Sequence, residues 1–279
     1  MAGVTVRAAG FIVTFFGDVV VPRGGEIATG NIITACAALG ISETLVRTAL
    51  SRLVAAGQLE SHRLGRRSFY RLAPAAGPEF DAAARSIYQG EAPGGWRLVF
   101  LPEGEAEALM PQLERQGYAR LRPQLAIGPD HLPAPETGLS LAATPEQGLV
   151  HLPAFAASAW DLSEHAQAYA AFIARFSPFT TAPLAPAEAL TARLLLVHAY
   201  RQVLLRDPRL PSAALPADWP GLTARRVFAR AYLNLSAGAD AHVAASCEAL
   251  AGALSAMSAT TEARLTSLRQ QREGPTPPA

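Results

Sequence analysis

Apolar positions recur at helical spacing through two neighbouring stretches near the N-terminus, "IATGNIITACAALG" (27–40) and "GISETLVRTALSRLVAAGQLE" (40–60). In the second, Leu45, Val46, Ala49, Leu50, Leu53 and Val54 fall on one face. Thr44, Arg47, Thr48, Ser51 and Arg52 fall on the other, which offers hydrogen-bond donors and no acid. Ser42 is placed to cap that helix, Glu43 suits its positive end, and Gly57 stops it near Ala56. The pattern then turns to that of strands. "QLESHRL" and "RRSFYRL" flank Gly65 and predict a hairpin, with Phe69 or Tyr70 packing it onto the helices.

Residues 95–153 are mixed. "WRLVFLP" (96–102), "RLRPQLAIG" (120–128) and "GLVHLPAFA" (148–156) read as strands, and "EAEALMPQLERQG" (105–117) as a helix, which together predict a small α+β unit. From residue 161 the helical period dominates, in "DLSEHAQAYAAFIARF", "AEALTARLLLVHAYRQVLLRD", "LTARRVFARAYLNL" and a long final segment. In that segment Val243, Cys247, Leu250, Leu254, Met257, Thr261, Leu265 and Leu268 follow a spacing of four and three, the period of a narrow apolar seam on one helix. The seam is expected to pack on its own domain, with contact across a dimer as the alternative. Proline- and glycine-rich breaks at "APAAGP", "QGEAPGG" and "SPFTTAPLAP" suggest three domains, at residues 1–88, 95–156 and 157–273.

Composition narrows the function. The longest apolar runs, such as "LLLV" (194–197), fall far below the ~20 residues that span a bilayer, and no secretory signal pattern opens the chain, so a cytoplasmic protein is expected. Cys36 and Cys247 are isolated and read as core residues. The six histidines never fall at metal-ligand spacing. All 24 basic residues are arginine, which excludes a lysine-bearing phosphate loop and Schiff-base chemistry. Neither G-x-S-x-G, H-E-x-x-H nor G-x-G-x-x-G occurs. No catalytic residue, metal site or cofactor is expected.

Charge marks one region. Residues 40–72 hold six arginines and two glutamates, a local charge of +4 in a chain of net +1. Four of those arginines, Arg63, Arg66, Arg67 and Arg71, lie on the expected hairpin. A solvated surface hairpin could carry such a cluster, but the capped polar helix directly before it points to DNA. Two helices joined at a glycine turn and followed by a hairpin are in the order of a winged helix-turn-helix. Its second helix enters the major groove, and its hairpin follows the backbone or the adjacent minor groove. The expected DNA-binding residues are Thr44, Arg47, Thr48, Ser51, Arg52, Arg63, Arg66, Arg67 and Arg71.

The segments "FIVTFFGDVVVPRGGEIATGNII", "LVRTALSRLVAAGQLESHRLGRRSFYRL", "WDLSEHAQAYAAFIARF" and "LLVHAYRQVLLRDPRLPSAALPADWPG" resemble, in order, the PaaX family of bacterial transcriptional repressors of phenylacetate catabolism. The resemblance implies a multidomain α+β fold: an N-terminal winged helix, a central ferredoxin-like domain shaped like the Cas2 nucleases, and a C-terminal helical domain. It further implies a homodimer on double-stranded operator DNA, released by an acyl-CoA effector, phenylacetyl-CoA in the best-known members. The likeness to Cas2 raises a competing reading, a metal-dependent nuclease using Glu103; a plain surface glutamate is the simpler account of that residue. A CoA thioester needs cations for its phosphates and an apolar slot for its acyl group. His198 and Arg201, three apart on one helix, with Trp160, Tyr200 and Trp219 as an apolar wall, are candidates. Ordinary hydrogen bonding of His198 and Arg201, for example to Asp161 or Asp207, is the alternative.

Overall fold

The computed structural model of the chain describes residues 6–90 and 94–273. In chain order, α1 (Ala8–Phe15) runs through a π-helical turn (Phe16–Val20) and a 3-10 turn (Val21–Arg23) into β1 (Glu26–Ala28), α2 (Thr29–Ala37), α3 (Glu43–Ala55), β2 (Leu59–Leu64) and β3 (Arg67–Leu72). Next come α4 (Gly77–Ala84) with a π-helical turn (Arg85–Gln89), β4 (Trp96–Phe100), α5 (Ala106–Arg115), β5 (Ala119–Arg122), β6 (Leu125–Pro129) and β7 (Leu139–Ala143). The remainder is α6 (Leu152–Ala159), α7 (Ser163–Phe176), α8 (Pro186–Leu204), α9 (Pro220–Ser246), the small hairpin β8 (Glu248–Ala249) and β9 (Gly252–Ala253), and α10 (Ala259–Glu273).

The chain forms two compact units that are not consecutive stretches. One holds residues 1–90, 172–202 and 223–279; the other holds 91–171 and 203–222. The helical region expected at 157–273 is therefore divided, and most of α8 and α9 belongs with the N-terminal segment.

In the first unit α1 is apolar nearly all round, with Phe11, Ile12 and Phe15 buried, and Phe16, Val19 and Val20 of the π-helical turn continue the buried run. An antiparallel sheet of order β1-β3-β2 lies beside the helices. The helix expected at 27–40 begins only at Thr29. Residues 26–28 instead extend as a strand, pairing Ile27 with Tyr70 and Ala28 with Phe69. The strand is only three residues long, too short for a period-2 pattern to stand out against the helical one that follows.

A buried ionic network ties the turn after α1 to α8, α9 and α10. Asp18 accepts from Tyr88 (2.9 Å), Tyr232 (2.8 Å) and Arg193 Nε (3.0 Å). Asp240 accepts from Arg193 Nη1 (2.6 Å) and Arg23 Nη2 (2.7 Å), and Arg264 Nη2 donates to the Gly17 carbonyl. Burial alone would raise the Asp18 carboxyl, but Arg193 and Arg264 together with the two phenol hydrogen bonds hold it below its usual range. Buried charges persist only when paired in this way. Arg23, at the end of the 3-10 turn, is one of the interior members.

In the second unit the antiparallel sheet has the order β5-β6-β4-β7. Alternation along β4 sends Val99 to one face, against Met110 and Leu113 of α5, and Trp96 to the other, against Ala156 of α6 and Leu210. Three expectations fail here. "RLRPQLAIG" is not one strand but parts of two, β5 and β6, paired antiparallel across a turn at Pro123 and Gln124. "GLVHLPAFA" is not a strand: Gly148 sits at φ 72°, opening a 3-10 turn that leads into α6, and Pro153 occupies the first turn of that helix, where its missing N–H costs nothing. The fourth strand is β7, whose "LSLAA" has no β-branched residue to announce it.

The final segment is also not one helix. The α9 helix closes with the Cys247 N–H on the Val243 carbonyl; the β8–β9 hairpin intervenes, and the Leu254 N–H returns to the Cys247 carbonyl. Seam positions Val243, Cys247, Leu254, Thr261, Leu265 and Leu268 are buried all the same, while Leu250 and Met257, in and after the hairpin, are exposed. The α10 helix packs within its own unit, on the turns at 21–23 and 85–89.

Candidate nucleic-acid interface

The helix α3 forms as its sequence dictates. The Ser42 hydroxyl accepts from the Leu45 N–H (3.4 Å), Glu43 occupies the first turn, and Gly57 takes φ 68° just past the end. Val46, Ala49, Leu50 and Leu53 are buried and Val54 is partly so; Leu45, expected with them, is exposed. Thr44, Arg47, Thr48, Ser51 and Arg52 all face solvent. The hairpin pairs Leu59 with Leu72 through Leu64 with Arg67, anchored by Phe69, which is 1% exposed and stacks on His62. Tyr70 is half-buried. Arg63, Arg66, Arg67 and Arg71 are exposed. The nine expected residues thus share two adjacent, consecutive elements.

Their electrostatics differ from the expectation of an acid-free face. Arg47 pairs with Glu43 (2.7 Å), Arg71 with Glu60 (2.6 Å) and Arg67 with Glu248, while Arg63 Nε donates to the Gly65 carbonyl (3.0 Å). The Thr48 hydroxyl donates back to the Thr44 carbonyl (2.9 Å). Arg52 and Arg66 are exposed and have no acid partner among the described residues. Exposed ion pairs of this kind are each worth about 0.2–1 kcal/mol, so an incoming polyanion can exchange for the carboxylates. A concave notch of about 360 Å³, walled by Thr29, Asn31, Arg47, Arg66, Arg67 and Glu248, opens on this face. Glu248 and Asn31 carried no signal in the sequence: Glu248 lies 181 positions from Arg67, and neither belongs to a charged run.

The candidate effector residues divide between the units. Trp160 and Trp219 belong to the second. The Trp160 indole donates to the Gly117 carbonyl (2.9 Å) beside Trp96 and Phe155, and Trp219 packs edge-on against Tyr169. His198 and Arg201 belong to the first. The two ring nitrogens of His198 are taken by Thr14 (3.0 Å) and Gln202 (2.8 Å), and Tyr200 stacks on Phe228. Burial, followed by the nearby Arg201, pushes His198 down to about 4, so the ring is neutral at pH 7. Arg201 lines an apolar cavity of about 40 Å³ with Val13, Phe80, Ile87 and Val197. That cavity shares Phe80 and Tyr88 with a larger one of about 570 Å³ that reaches Arg85 and Arg264. Asp161 caps α7 through Ser163, and Asp207 accepts from Tyr169, so neither serves His198 or Arg201. Glu103 is exposed in the turn between β4 and α5. Among the described residues no group of three or more His, Cys, Asp or Glu side chains could hold a metal ion.

Comparison with known proteins agrees with this layout. Residues 7–76 match the model of the PaaX-like protein family, and residues 160–245 match that of the PaaX-like protein C-terminal domain. The transcriptional repressor PaaX of Escherichia coli is 33% identical, over 91% of this chain and 88% of its own length. A solved structure, uncharacterized protein Rv0674 from Mycobacterium tuberculosis, shares the fold with a TM-score of 0.55 at 22% identity, over 84% of this chain and 97% of its own. The chain belongs to the PaaX-like protein family.

Proposed function

We propose that this chain is a cytoplasmic, homodimeric, non-enzymatic repressor that binds the double-stranded operator of an aromatic-acid (phenylacetate) degradation operon and leaves it when an aryl-acyl-CoA such as phenylacetyl-CoA binds. The observation that carries the reading is the exposure of all nine polar residues on α3 and the β2–β3 hairpin. The order α2, turn, α3, hairpin fits a winged helix, with α3 in the major groove and the hairpin on the backbone. The E. coli relative is a transcriptional repressor, which supports it. The antiparallel order β5-β6-β4-β7 supports a ferredoxin-like reading of the middle, with a loop at 130–138 where such a domain would carry its second crossover helix.

We place the effector's anionic part at Arg201, whose guanidinium meets an apolar wall and has Glu79 as its charged neighbour. Trp160, His198 and Trp219, the other candidates, have their polar or aromatic edges engaged within their own units. A ligand shifts DNA binding only by its differential affinity for the free and bound forms. A tenfold to hundredfold loss of DNA affinity corresponds to about 1.4 to 2.7 kcal/mol of coupling, ordinary for an allosteric protein. The test titrates phenylacetyl-CoA, free phenylacetate and coenzyme A against the protein bound to DNA from upstream of its own operon. Only the thioester is expected to dissociate it, and Arg201→Ala is expected to blunt that response. Release by free phenylacetate alone would refute CoA recognition, and release by a different acyl thioester would change the acyl group assigned.

A further inference from the structure

Among the described residues three carboxylates pair with arginines of the basic face, and two of them are local. Glu43 sits one turn from Arg47 on the same helix, and Glu60 sits across the hairpin from Arg71. Glu248 is different. It opens β8, which packs beside β1, and it is brought to Arg67 from the far end of α9.

Backbone bonds, rather than its own side chain, fix where Glu248 lies. Asn31 Nδ2 donates to the Ser246 carbonyl (2.6 Å) and Asn31 Oδ1 accepts from the Glu248 N–H (3.1 Å), so one amide side chain grips the chain on both sides of residue 247. The Leu250 N–H donates to Glu26 Oε1 (2.8 Å). Beyond the hairpin, buried Arg23 donates to the carbonyls of Ser255 (2.9 Å) and Ala256 (3.1 Å), and it also donates to the Val19 carbonyl (3.1 Å) and to Asp240, the carboxylate it shares with Arg193. The hairpin is therefore fastened to the first 31 residues at both ends, and one fastening is continuous with the buried ionic network. Its carboxylate stands in the wall of the notch formed by Arg47, Arg66 and Arg67.

The side chains of the Arg67–Glu248 pair are each about half exposed, at 53% and 50%, so the pair is weak and exchangeable. A phosphodiester entering the notch would find three guanidinium groups but also a fixed negative charge beside one of them. We propose that Glu248 is a built-in competitor for DNA phosphate: it holds Arg67 in the free protein and must be displaced before a backbone phosphate can sit in the notch, so the position of the β8–β9 hairpin sets DNA affinity. This rests on the DNA-binding reading above and adds a regulatory element drawn from the distant end of the chain.

The test measures binding of the full chain to two labelled duplexes, one from upstream of its own operon and one a scramble of the same length, from 50 to 200 mM salt. Glu248→Gln keeps the shape and removes the charge. It is expected to bind both duplexes about three- to tenfold more tightly at 50 mM salt, with the gain shrinking as salt rises. Asn31→Ala, which frees the hairpin without touching a charge, is expected to tighten binding in the same direction. Combined with Glu248→Gln it should add less than its own separate effect, because both act through one carboxylate. Wild-type binding with Glu248→Gln equal to it or weaker would overturn the proposal while leaving the DNA reading intact. Weakening on the upstream duplex alone would also overturn it, by making Glu248 a base-reading residue. Failure of the wild type to bind either duplex at 50 mM salt would remove both readings.

Discussion

His198 shows how far a single residue could be understood from its neighbours in sequence. Its spacing from Arg201 placed both on one helical face, which is correct, but its partners Thr14 and Gln202 and its edge contact with Phe11 make it an interior group. Thr14 lies 184 positions away, a pairing no local pattern announces. The consequence is a pH effect with a definite sign. In the unfolded chain the ring takes a proton near its ordinary value of about 6.5, whereas in the fold burial and Arg201 postpone protonation to about 4. The unfolded state thus binds more protons across that window. Stability from this group is fully present above about pH 6.5, falls as pH drops toward 4, and loses on the order of 3 kcal/mol in all. Urea unfolding of wild type and His198→Gln at pH 7, 5.5 and 4.5 checks this. The variant should lose less stability on acidification, and parallel curves would contradict the assignment. Asp18 was equally silent in the sequence: in "FFGDVV" it looks like a surface break in an apolar run, and only the distant Arg193, Tyr88 and Tyr232 make it interior.

At the level of elements, legibility followed locality. The helix α3 and the β2–β3 hairpin have caps, stops and periods carried by consecutive residues, and both stand where the pattern put them. Ser42 is the clearest of these signals. Its bond to the Leu45 N–H is exposed and long, so Ser42→Ala should cost about 0.5–1 kcal/mol of unfolding free energy, with buried contacts untouched. A thermal or urea midpoint measures it, and a loss above about 2 kcal/mol would mean the residue does more than cap. The misread elements are those decided by tertiary partners. Strand β1 exists because β3 offers an edge to it. Strand β7 is completed by β4, and α6 forms where Pro153 allows a first helical turn under Trp96. The apolar seam from Val243 to Leu268 named six buried residues but also Leu250 and Met257, which are exposed where the hairpin and the turn after it interrupt the helix.

For the molecule as a whole, a division into three consecutive domains was the natural reading of proline- and glycine-rich breaks. The chain instead returns α8 and α9 to the unit begun by α1, and the ionic network of Asp18, Arg193, Asp240 and Arg23 is part of what that return buries. The consequence for function is that the basic face is built from residues of the N-terminal third yet fringed by Glu248. DNA binding at this face must be strongly ionic. With each α3 and hairpin of the proposed dimer neutralising three to five phosphates, about 6 to 10 in total, affinity should fall roughly 10³- to 10⁵-fold between 50 and 200 mM salt. Arg66→Ala combined with Arg67→Ala should weaken binding alike on every sequence and flatten that dependence by about one phosphate per arginine. The most direct measurement is therefore the dissociation constant of the full chain for its own upstream duplex across that salt range, for wild type and for the double arginine variant. A steep fall that is shallower in the variant is the predicted result. A dependence that is flat, or identical in the two proteins, would contradict the assignment of α3 and the β2–β3 hairpin as the DNA-binding surface.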